Sequence, residues 1–388
     1  MSWPMVKLGD VAPSKPIKKP EVLDTESVWQ LNLDMVESHS GKVISKLTAP
    51  LSEAGSSTHW FDERYVLYSK LRPYLNKVVL PDMQGLATTE LVPMLPDPKR
   101  LDRGYLAHYL RSSRFVSWIS EQVAGAKMPR VSMKVFWDHE IPLPPIAEQK
   151  RIAAILDKAD AIRQKRKQAI ALADEFLRSV FLEMFGDPVT NPKGFPLGTI
   201  RDLVESANYG TSGKASESEG EYPVLRMGNI TYQGSWDFSD LKYIDLTEKE
   251  LPKYLVHKGD LLFNRTNSRE LVGKTAVYEE ELPMAFAGYL VRVRANEMGN
   301  TYYLSGYLNS GHGKKVLSGM CKSIVGMANI NAQELQNIKL LLPPIELQNR
   351  YEEIVKAVRS RVSTQIVSLT ELNELFSSIS QKAFSGQL

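Results

Sequence analysis

The chain has 388 residues, of which 43% are hydrophobic and 24% are charged, as in an ordinary soluble globular protein. Its 48 Lys and Arg residues against 45 Asp and Glu give a net charge of +3, too small by itself to indicate a nucleic-acid partner. The single cysteine, Cys321, excludes an intramolecular disulfide and a cysteine-based metal site. The sequence shows neither a signal peptide nor an apolar run of the ~18–20 residues that cross a bilayer, so we expect a cytoplasmic protein without a membrane segment.

The first 145 residues mix short β-branched or aromatic runs with short helical stretches, a pattern typical of an α+β domain. A strand-like run at residues 66–70 (VLYSK) leads into a loop with three cations and a tyrosine, and residues 125–132 (GAKMPRVS) add two more cations. Because lysine suits phosphate contacts and arginine can pair with guanine, these loops predict DNA contact. The candidate DNA-binding residues of this domain are Lys70, Arg72, Lys77, Lys127 and Arg130.

A long helical pattern follows residues 143–146 (LPPI), with no glycine until Gly186 and no proline until Pro188. Mainly apolar residues recur at alternating spacings of four and three, which indicates a coiled-coil seam and a helix over residues 146–187. A polar residue in such a seam can fix the register of the two helices. The seam positions are Ile152, Leu156, Ala159, Arg163, Arg166, Ile170, Ala173, Leu177, Val180 and Met184.

The turn-rich stretch 186–194 marks a domain boundary, and residues 188–344 predict a second α+β domain. In this domain residues 261–265 (LLFNR) correspond to residues 66–70 of the first. Its loops again combine cations and amides with glycine, and asparagine can pair with adenine. The candidate DNA-binding residues are Lys214, Arg226, Asn229, Arg265, Asn267, Arg269 and Lys274.

Residues 342–345 repeat the LPPI sequence at an offset of 199 residues and open a second helical pattern, predicted over residues 345–388. The chain is therefore predicted to be a duplicated domain-plus-helix unit with pseudo-two-fold symmetry, whose two helices pair as an antiparallel coiled coil. The second seam comprises Tyr351, Val355, Val358, Val362, Gln365, Leu369, Leu372, Phe376, Ile379 and Ala383. The candidates for partner binding or the coiled coil are Gln149, Arg151, Ile152, Leu156, Ile170, Leu177, Gln348, Arg350, Tyr351, Val355, Leu369 and Phe376.

No catalytic motif is complete. Residues 273–275 (GKT) resemble the end of a phosphate-binding loop, but Ser268 stands where that loop requires glycine. Leu143 and Leu342 precede the Pro-Pro pairs, where an amino-methyltransferase would have Asp or Asn. The six histidines lack metal-site spacing. We therefore predict a binding protein, while a divergent DNA methyltransferase or nuclease, and a coiled-coil scaffold whose domains bind protein, remain alternatives.

Residues 141–146 with Glu148, Gln149 and Arg151, and residues 341–345 with Gln348 and Arg350, resemble the stretches that open the conserved helices of specificity subunits of type I restriction-modification systems. Residues 70–74 (KLRPY) and 224–229 (VLRMGN) resemble runs in the target-recognition domains of that family. The resemblance implies that residues 1–145 and 188–344 are two target-recognition domains, each recognising one half of a split double-stranded DNA target.

The same resemblance implies that the helices set the gap between the two halves and dock two modification (methyltransferase) subunits, through which restriction (translocase-nuclease) subunits join. The chain would then be a non-catalytic subunit of a DNA-methylating host-defence system. S-adenosylmethionine, ATP and magnesium would belong to the partner subunits, and this chain would bind none of them.

Overall fold

The computed structural model describes residues 3–18, 20, 23–125, 127–268, 270–321 and 328–388. The chain divides into two compact units: unit 1 comprises Met1–Lys167 and Val367–Leu388, and unit 2 comprises Gln168–Ile366. Each unit therefore contains one globular domain and one segment from each of the two long helices. Within the part of the chain described here, no helix has the length and apolar character needed to cross a membrane.

Unit 1 consists of short strands, short helices and segments of both long helices. Its strands are β1 (Met5–Lys7), β2 (Ser27–Leu31), β3 (Leu47–Pro50), β4 (Thr58–Phe61), β5 (Val66–Ser69), β6 (Val78–Val79), β7 (Gly85–Thr88), β8 (Leu91–Met94), β9 (Val123–Ala124), β10 (Arg130–Val131) and β11 (Glu140–Pro142). The helices that begin in it are α1 (Leu8–Val11), α2 (Arg103–Arg111), α3 (Ser113–Glu121), α4 (Met133–Asp138) and α5 (Ile146–Phe185).

The two largest sheets among the described residues of unit 1 belong to its globular domain. One has the strand order β3-β2-β7-β4, with β2 and β7 parallel, and the other is antiparallel with the order β6-β5-β8. The β5 side chains Val66 and Tyr68 belong to a core that also contains Ile152 and Leu156 of α5 and Phe384 of the C-terminal segment. The long helices are therefore part of the hydrophobic core of this unit.

Unit 2 repeats this arrangement. Its strands are β12 (Leu197–Thr199), β13 (Val204–Tyr209), β14 (Tyr222–Leu225), β15 (Lys242–Ile244), β16 (Leu255–Val256), β17 (Leu261–Asn264), β18 (Thr266–Asn267), β19 (Thr275–Val277), β20 (Met284–Phe286), β21 (Leu290–Ala295), β22 (Ala328–Asn329) and β23 (Lys339–Leu341). The helices that begin in it are α6 (Leu251–Tyr254), α7 (Thr301–Asn309), α8 (Gly311–Met320), α9 (Ala332–Gln336) and α10 (Ile345–Ser385).

The sheets of unit 2 have the strand orders β15-β14-β20-β16, with β14 and β20 parallel, and β13-β21-β17-β19. Equivalent backbone bonds close both domains: the Leu8 amide donates to the His139 carbonyl at 2.8 Å, and the Ile200 amide donates to the Ile338 carbonyl at 3.0 Å. Strand β1 pairs with β11 as β12 pairs with β23. The prediction of two similar α+β domains is confirmed.

The two long helices begin directly after the Pro-Pro pairs, and α5 has 40 residues and α10 has 41. Each ends beside a glycine in the left-handed region, Gly186 with φ 78° and Gly386 with φ 77°, as expected for a helix C-terminus. Every predicted seam position is buried or half-buried. The helices thus span the predicted stretches, except for the last two or three residues of each.

Within each unit the segments of the two helices run antiparallel. In unit 1, Arg151 donates a hydrogen bond to the Leu388 carbonyl at 3.0 Å, and Arg163 donates one to Asn373 at 2.8 Å. In unit 2 the rings of Phe185 and Tyr351 lie 5.5 Å apart, and Asp174 interacts electrostatically with Arg359. Low residue numbers on α5 in unit 1 therefore meet high numbers on α10. A coiled coil along the whole length of both helices remains a prediction.

Two glutamines join the helix starts to their domains. The Gln149 side chain accepts from the Asp102 amide at 2.8 Å and donates to the carbonyls of Arg100 and Pro144. Gln348 makes the equivalent three bonds, including one from the Asn300 amide at 2.9 Å. Both side chains are fully buried. Neither is presented to a partner or to the helix seam, in contrast to the sequence-based expectation; each saturates backbone groups of its own unit.

Candidate nucleic-acid interface

In unit 1 three chain segments meet at the end of β5, and we name this site junction 1, formed by Lys70, Glu90 and Arg130. The Lys70 amide donates to the Glu90 carbonyl at 3.0 Å, and the Lys70 carbonyl accepts from the Val131 amide at 3.0 Å. The backbone of Lys70 is thereby fixed on both sides. The two loops that the sequence predicted as DNA contacts, at residues 69–77 and 125–132, therefore lie next to each other.

The side chains of junction 1 are organised around an ion pair. Arg130 contacts both carboxylate oxygens of Glu90, with a shortest distance of 3.0 Å between its Nη2 and Oε1. Next to it, Arg72 is exposed in a left-handed backbone conformation with φ 49°, which costs a non-glycine residue about 1 kcal/mol or more. Such local strain is common at binding loops. Junction 1 thus combines a fixed carboxylate with exposed cations.

Unit 2 contains the equivalent site, junction 2, formed by Arg265, Tyr289 and Asn329. The Arg265 amide donates to the Tyr289 carbonyl at 3.0 Å, and the Arg265 carbonyl accepts from the Ile330 amide at 2.9 Å. These are the bonds that Lys70 makes in junction 1. Strand β18 also pairs with β22, so Thr266 lies opposite Asn329.

The Arg265 guanidinium of junction 2 is held by aromatic stacking. It lies 4.8 Å from the ring centroid of Tyr209, and its Nη1 donates to the Gly288 carbonyl at 3.3 Å. The Tyr209 hydroxyl in turn accepts from the Ala332 amide at 3.0 Å. Tyr209 is 44% exposed and Tyr289 is 56% exposed. Junction 2 thus presents a positioned, planar cation beside exposed aromatic rings, a combination suited to base edges and base stacking.

Two of the sequence-based candidates support a loop from inside. Lys274 is 8% exposed and donates from Nζ to the carbonyls of Met227, at 2.8 Å, and Ile230, and burial lowers its pKa. Asn229 is 3% exposed and donates to the Asp237 and Asp240 carbonyls. The prediction that these two side chains contact DNA conflicts with their burial. They fix the loop that exposes Met227 and Gly228.

The remaining candidates lie in different surroundings. Lys77 is half-buried and donates to the Leu33 carbonyl at 2.6 Å, while the half-buried Arg226 pairs with Asp240 at 2.8 Å. Asn267 is half-buried in β18, Lys127 and Lys214 are exposed, and Arg269 lies outside the described residues. Glu90, Tyr209 and Tyr289 were missed as site residues, because strand pairing rather than a sequence motif brings them to the junctions.

The helix candidates fall into two groups. Ile152, Leu156, Tyr351 and Val355 are buried in the cores of their units, whereas Arg151 and Arg350 are exposed. Ile170, Leu177, Leu369 and Phe376 are half-buried seam residues. The long helices also expose apolar side chains that the sequence analysis did not single out: Ile162, Val367 and Leu375 in unit 1, and Leu172, Phe176, Leu182 and Ile366 in unit 2.

Across the residues that the structure describes, no group of three or more His, Cys, Asp or Glu side chains could hold a metal ion.

Comparison with known proteins gives one consistent family. Residues 77–172 and 192–375 match the family model described as type I restriction modification DNA specificity domain. The chain is 26% identical over 315 residues to the type I restriction enzyme EcoKI specificity subunit of Escherichia coli K12, covering 76% of this chain and 68% of that protein. It is 26% identical to the StySPI specificity subunit of Salmonella potsdam, covering 75% of this chain and 66% of that protein. The aligned part spans about two thirds of the length of these relatives.

Solved structures show the same fold. One chain comes from a structure that addresses complex assembly and conformational transition of the type I restriction-modification system. It superposes with a TM-score of 0.60 at 21% identity, and the match covers 100% of this chain and 98% of that chain. The type I restriction-modification S subunit from M. genitalium superposes with a TM-score of 0.59 at 14% identity, covering 98% of this chain and 96% of that chain.

Proposed function

The chain belongs to the family of type I restriction-modification DNA specificity proteins, and on that premise we propose that each of its units recognises one half of a bipartite DNA target. Members of this family are the non-catalytic DNA-recognition components of a restriction-modification complex. The proposal concerns how this chain divides that task between junction 1 and junction 2.

The observation that carries the proposal is that both junctions have the same backbone bonds but different side chains. Lys70 and Arg265 are held by equivalent pairs of amide and carbonyl groups. Around them, junction 1 has Glu90 and Arg130, whereas junction 2 has Tyr289 and Asn329. A carboxylate accepts from cytosine N4, arginine pairs with guanine and asparagine with adenine. One scaffold with two sets of groups therefore favours two half-sites of different sequence.

We further propose that the long helices set the gap between the half-sites and dock two modification subunits, through which restriction subunits join. The exposed apolar residues of the long helices support this: Phe176 and Leu182 lie on α5 and Leu375 lies on α10. Exposed apolar patches mark sites of protein interaction. In this proposal the partner subunits, and not this chain, bind S-adenosylmethionine, ATP and magnesium.

The proposal is tested by exchanging residues 1–145 for the corresponding domain of a relative with a different target, while the helices and residues 188–344 are kept. Genome-wide methylation mapping of cells that express the complete system gives both half-sites and their gap. We expect one half-site to change and the other half-site and the gap to stay the same. A change in both half-sites, or in neither, would contradict the division of recognition between the units.

Two further measurements separate the alternatives. Methyl transfer to DNA by the purified chain alone, with labelled S-adenosylmethionine, would favour a methyltransferase. A scaffold whose domains bind protein would lack the steep decrease of DNA affinity with salt that phosphate contacts impose.

A further inference from the structure

Unit 2 contains a cavity of about 560 Å³ that neither junction uses. It lies between α7, α8 and the unit-2 segments of the two long helices, and we name it the cationic cavity. Tyr232 and Gly311 also line it. The Asp, His, Lys and Arg residues that line it are Asp174, Arg178, Asp187, His312, Lys314, Lys315 and Arg359.

Two carboxylates line the cavity, and among the described residues neither forms an ion pair with Arg178, Lys314 or Lys315. Asp187 accepts hydrogen bonds from the Val189 amide at 2.7 Å and the Thr190 amide at 3.1 Å. Burial raises the pKa of Asp174, and the nearby charges of Arg178 and Arg359 oppose this effect. Arg359 is paired outside the lining set, with Glu279 at 3.1 Å.

Three cations remain: Arg178, Lys314 and Lys315. Among the described residues, no carboxylate lies within ion-pair distance of any of the three. The Lys314 ammonium lies 3.4 Å from the Gly273 carbonyl and 5.2 Å from the centroid of the Tyr232 ring, and burial lowers its pKa to about 8. Holding a half-buried ammonium without an anion costs stability.

Unit 1 shows that the fold does not require these cations. Ser112 and Ser310 occupy equivalent N-cap positions of α3 and α8. The residues at the places of Lys314 and Lys315 in unit 1 are therefore Val116 and Ser117, and the seam register places Ser377 where unit 2 has Arg178. Val116, Ser117 and Ser377 line the corresponding cavity of unit 1, of about 630 Å³. The same architecture thus forms with uncharged side chains at all three positions.

We propose that the cationic cavity binds a backbone phosphate of the DNA that unit 2 recognises. This inference rests on the proposed function, and the backbone links the cavity to junction 2. Lys314 contacts the Gly273 carbonyl, and the Gly273 amide donates to the carbonyl of Asn264, the residue that precedes Arg265. Tyr232 follows the loop that Lys274 and Asn229 fix. A sequence-independent phosphate contact here would orient the duplex for base contacts at junction 2.

The test compares two double variants of the full chain by measuring DNA affinity as a function of salt concentration. Arg178→Gln with Lys315→Gln removes two charges from the cavity and leaves the half-buried Lys314 in place. Lys249→Gln with Lys253→Gln removes two exposed charges of the same unit, one before α6 and one in it, and serves as the matched control. The parent chain is measured first on DNA that carries its mapped target and on unrelated DNA.

We expect the negative slope of log affinity against log salt to be less steep by about 1 in the cavity variant. Between 1 M and 0.1 M salt, the affinity of the cavity variant should therefore increase about 8-fold less than that of the parent, for both DNA sequences. Both half-sites should be unchanged in methylation mapping. The control variant should retain the parent slope. The reverse exchange in unit 1, Ser117→Lys with Ser377→Arg, should make the negative slope steeper by about 1.

An unchanged slope in the cavity variant, or a decrease matched by the control, would overturn the phosphate site while the proposed function stands. A parent chain whose DNA binding shows no salt dependence would overturn both. A thermal-shift arm distinguishes the source of the phosphate: stabilisation of the parent by ATP or inorganic phosphate that the cavity variant loses, with an unchanged DNA slope, would assign the cavity to a free phosphate compound and overturn the DNA proposal.

Discussion

Arg163 of α5 donates a hydrogen bond from Nε to Oδ1 of Asn373 on α10, at 2.8 Å. The same guanidinium pairs with Asp160 at 3.1 Å and lies 4.3 Å from the ring centroid of Phe376. A polar pair among apolar seam residues can fix the register and direction of two helices, because a shifted register breaks the bond between Arg163 and Asn373.

A double-mutant cycle on Arg163→Ala and Asn373→Ala should therefore reveal coupling. We expect each single variant to lower the free energy of unfolding by about 1–2 kcal/mol, with a coupling of about 1 kcal/mol, since the bond has a charged donor. Urea denaturation provides the measurement. Independent, additive effects would show that the bond contributes no register specificity.

The buried glutamines should be more sensitive than any seam residue of similar size. Replacing Gln149 by Leu leaves the Asp102 amide and the carbonyls of Arg100 and Pro144 without a side-chain partner, so we expect a loss of about 2–3 kcal/mol in unfolding free energy. Gln348→Leu should behave alike. Gln381→Leu, at an exposed position on α10, is the control. If Gln149→Leu lowered the unfolding free energy no more than the control does, the hydrogen bonds of Gln149 would not stabilise the attachment of the helix to its domain.

The two junctions should be separable by point substitution. Arg265→Gln should weaken recognition at one position of one half-site by about 1–3 kcal/mol, because glutamine cannot reproduce a planar cation stacked on Tyr209. Lys70→Gln should affect only the other half-site. Competition binding against DNA libraries randomised in one half-site at a time measures both. Relaxed recognition in the same half-site for both variants would contradict the assignment.

His139 should make unit 1 sensitive to acid. Burial, with a smaller effect from Arg114, lowers the pKa of His139 to about 4 from 6.5, while its Nε2 lies 2.8 Å from the Tyr109 hydroxyl. As pH falls, the unfolded chain takes up this proton first, so the stabilisation is complete above pH 6.5 and is lost toward pH 4. We expect a loss of about 1–3 kcal/mol across this range.

The variant His139→Gln should lack that part of the pH dependence, because glutamine keeps a polar group near Tyr109 but does not titrate. Thermal unfolding between pH 4 and 7 measures it. Parallel pH curves for the parent and the variant would assign the acid sensitivity to other groups.

The spacing of the two half-sites should follow the length of the helices. A seven-residue insertion into both helices, after Lys167 and after Ile366, preserves the seam register and adds about 10 Å per helix. We expect methylation mapping to show a gap longer by about 3 base pairs and unchanged half-sites. A three-residue insertion puts the seams out of register, and we expect it to abolish DNA methylation by the complete system. An unchanged gap after the seven-residue insertion would contradict the spacing role.

The heptad spacing after each LPPI sequence sufficed to predict both long helices, because this spacing is a local property of the sequence. The offset of 199 residues between the two LPPI sequences indicated the duplication. The correspondence of Lys70 with Arg265 was likewise predicted from strands that end in matching residue types. Lys274 shows the limit of such reasoning, since its burial depends on the carbonyls of Met227 and Ile230, more than 40 residues earlier in the chain. Glu90 and Tyr289 reach their junctions through strand pairing, which leaves no motif.

Unit 1 includes residues from both ends of the chain, and Phe384 places its ring 5.3 Å from Tyr105 and 5.2 Å from Tyr109. During translation, unit 2 therefore has all of its residues once Ile366 has left the ribosome, whereas unit 1, although synthesised first, lacks part of its hydrophobic core until the final segment emerges. We therefore expect the hydrophobic core of unit 2 to be completed before that of unit 1, although the first domain is synthesised first.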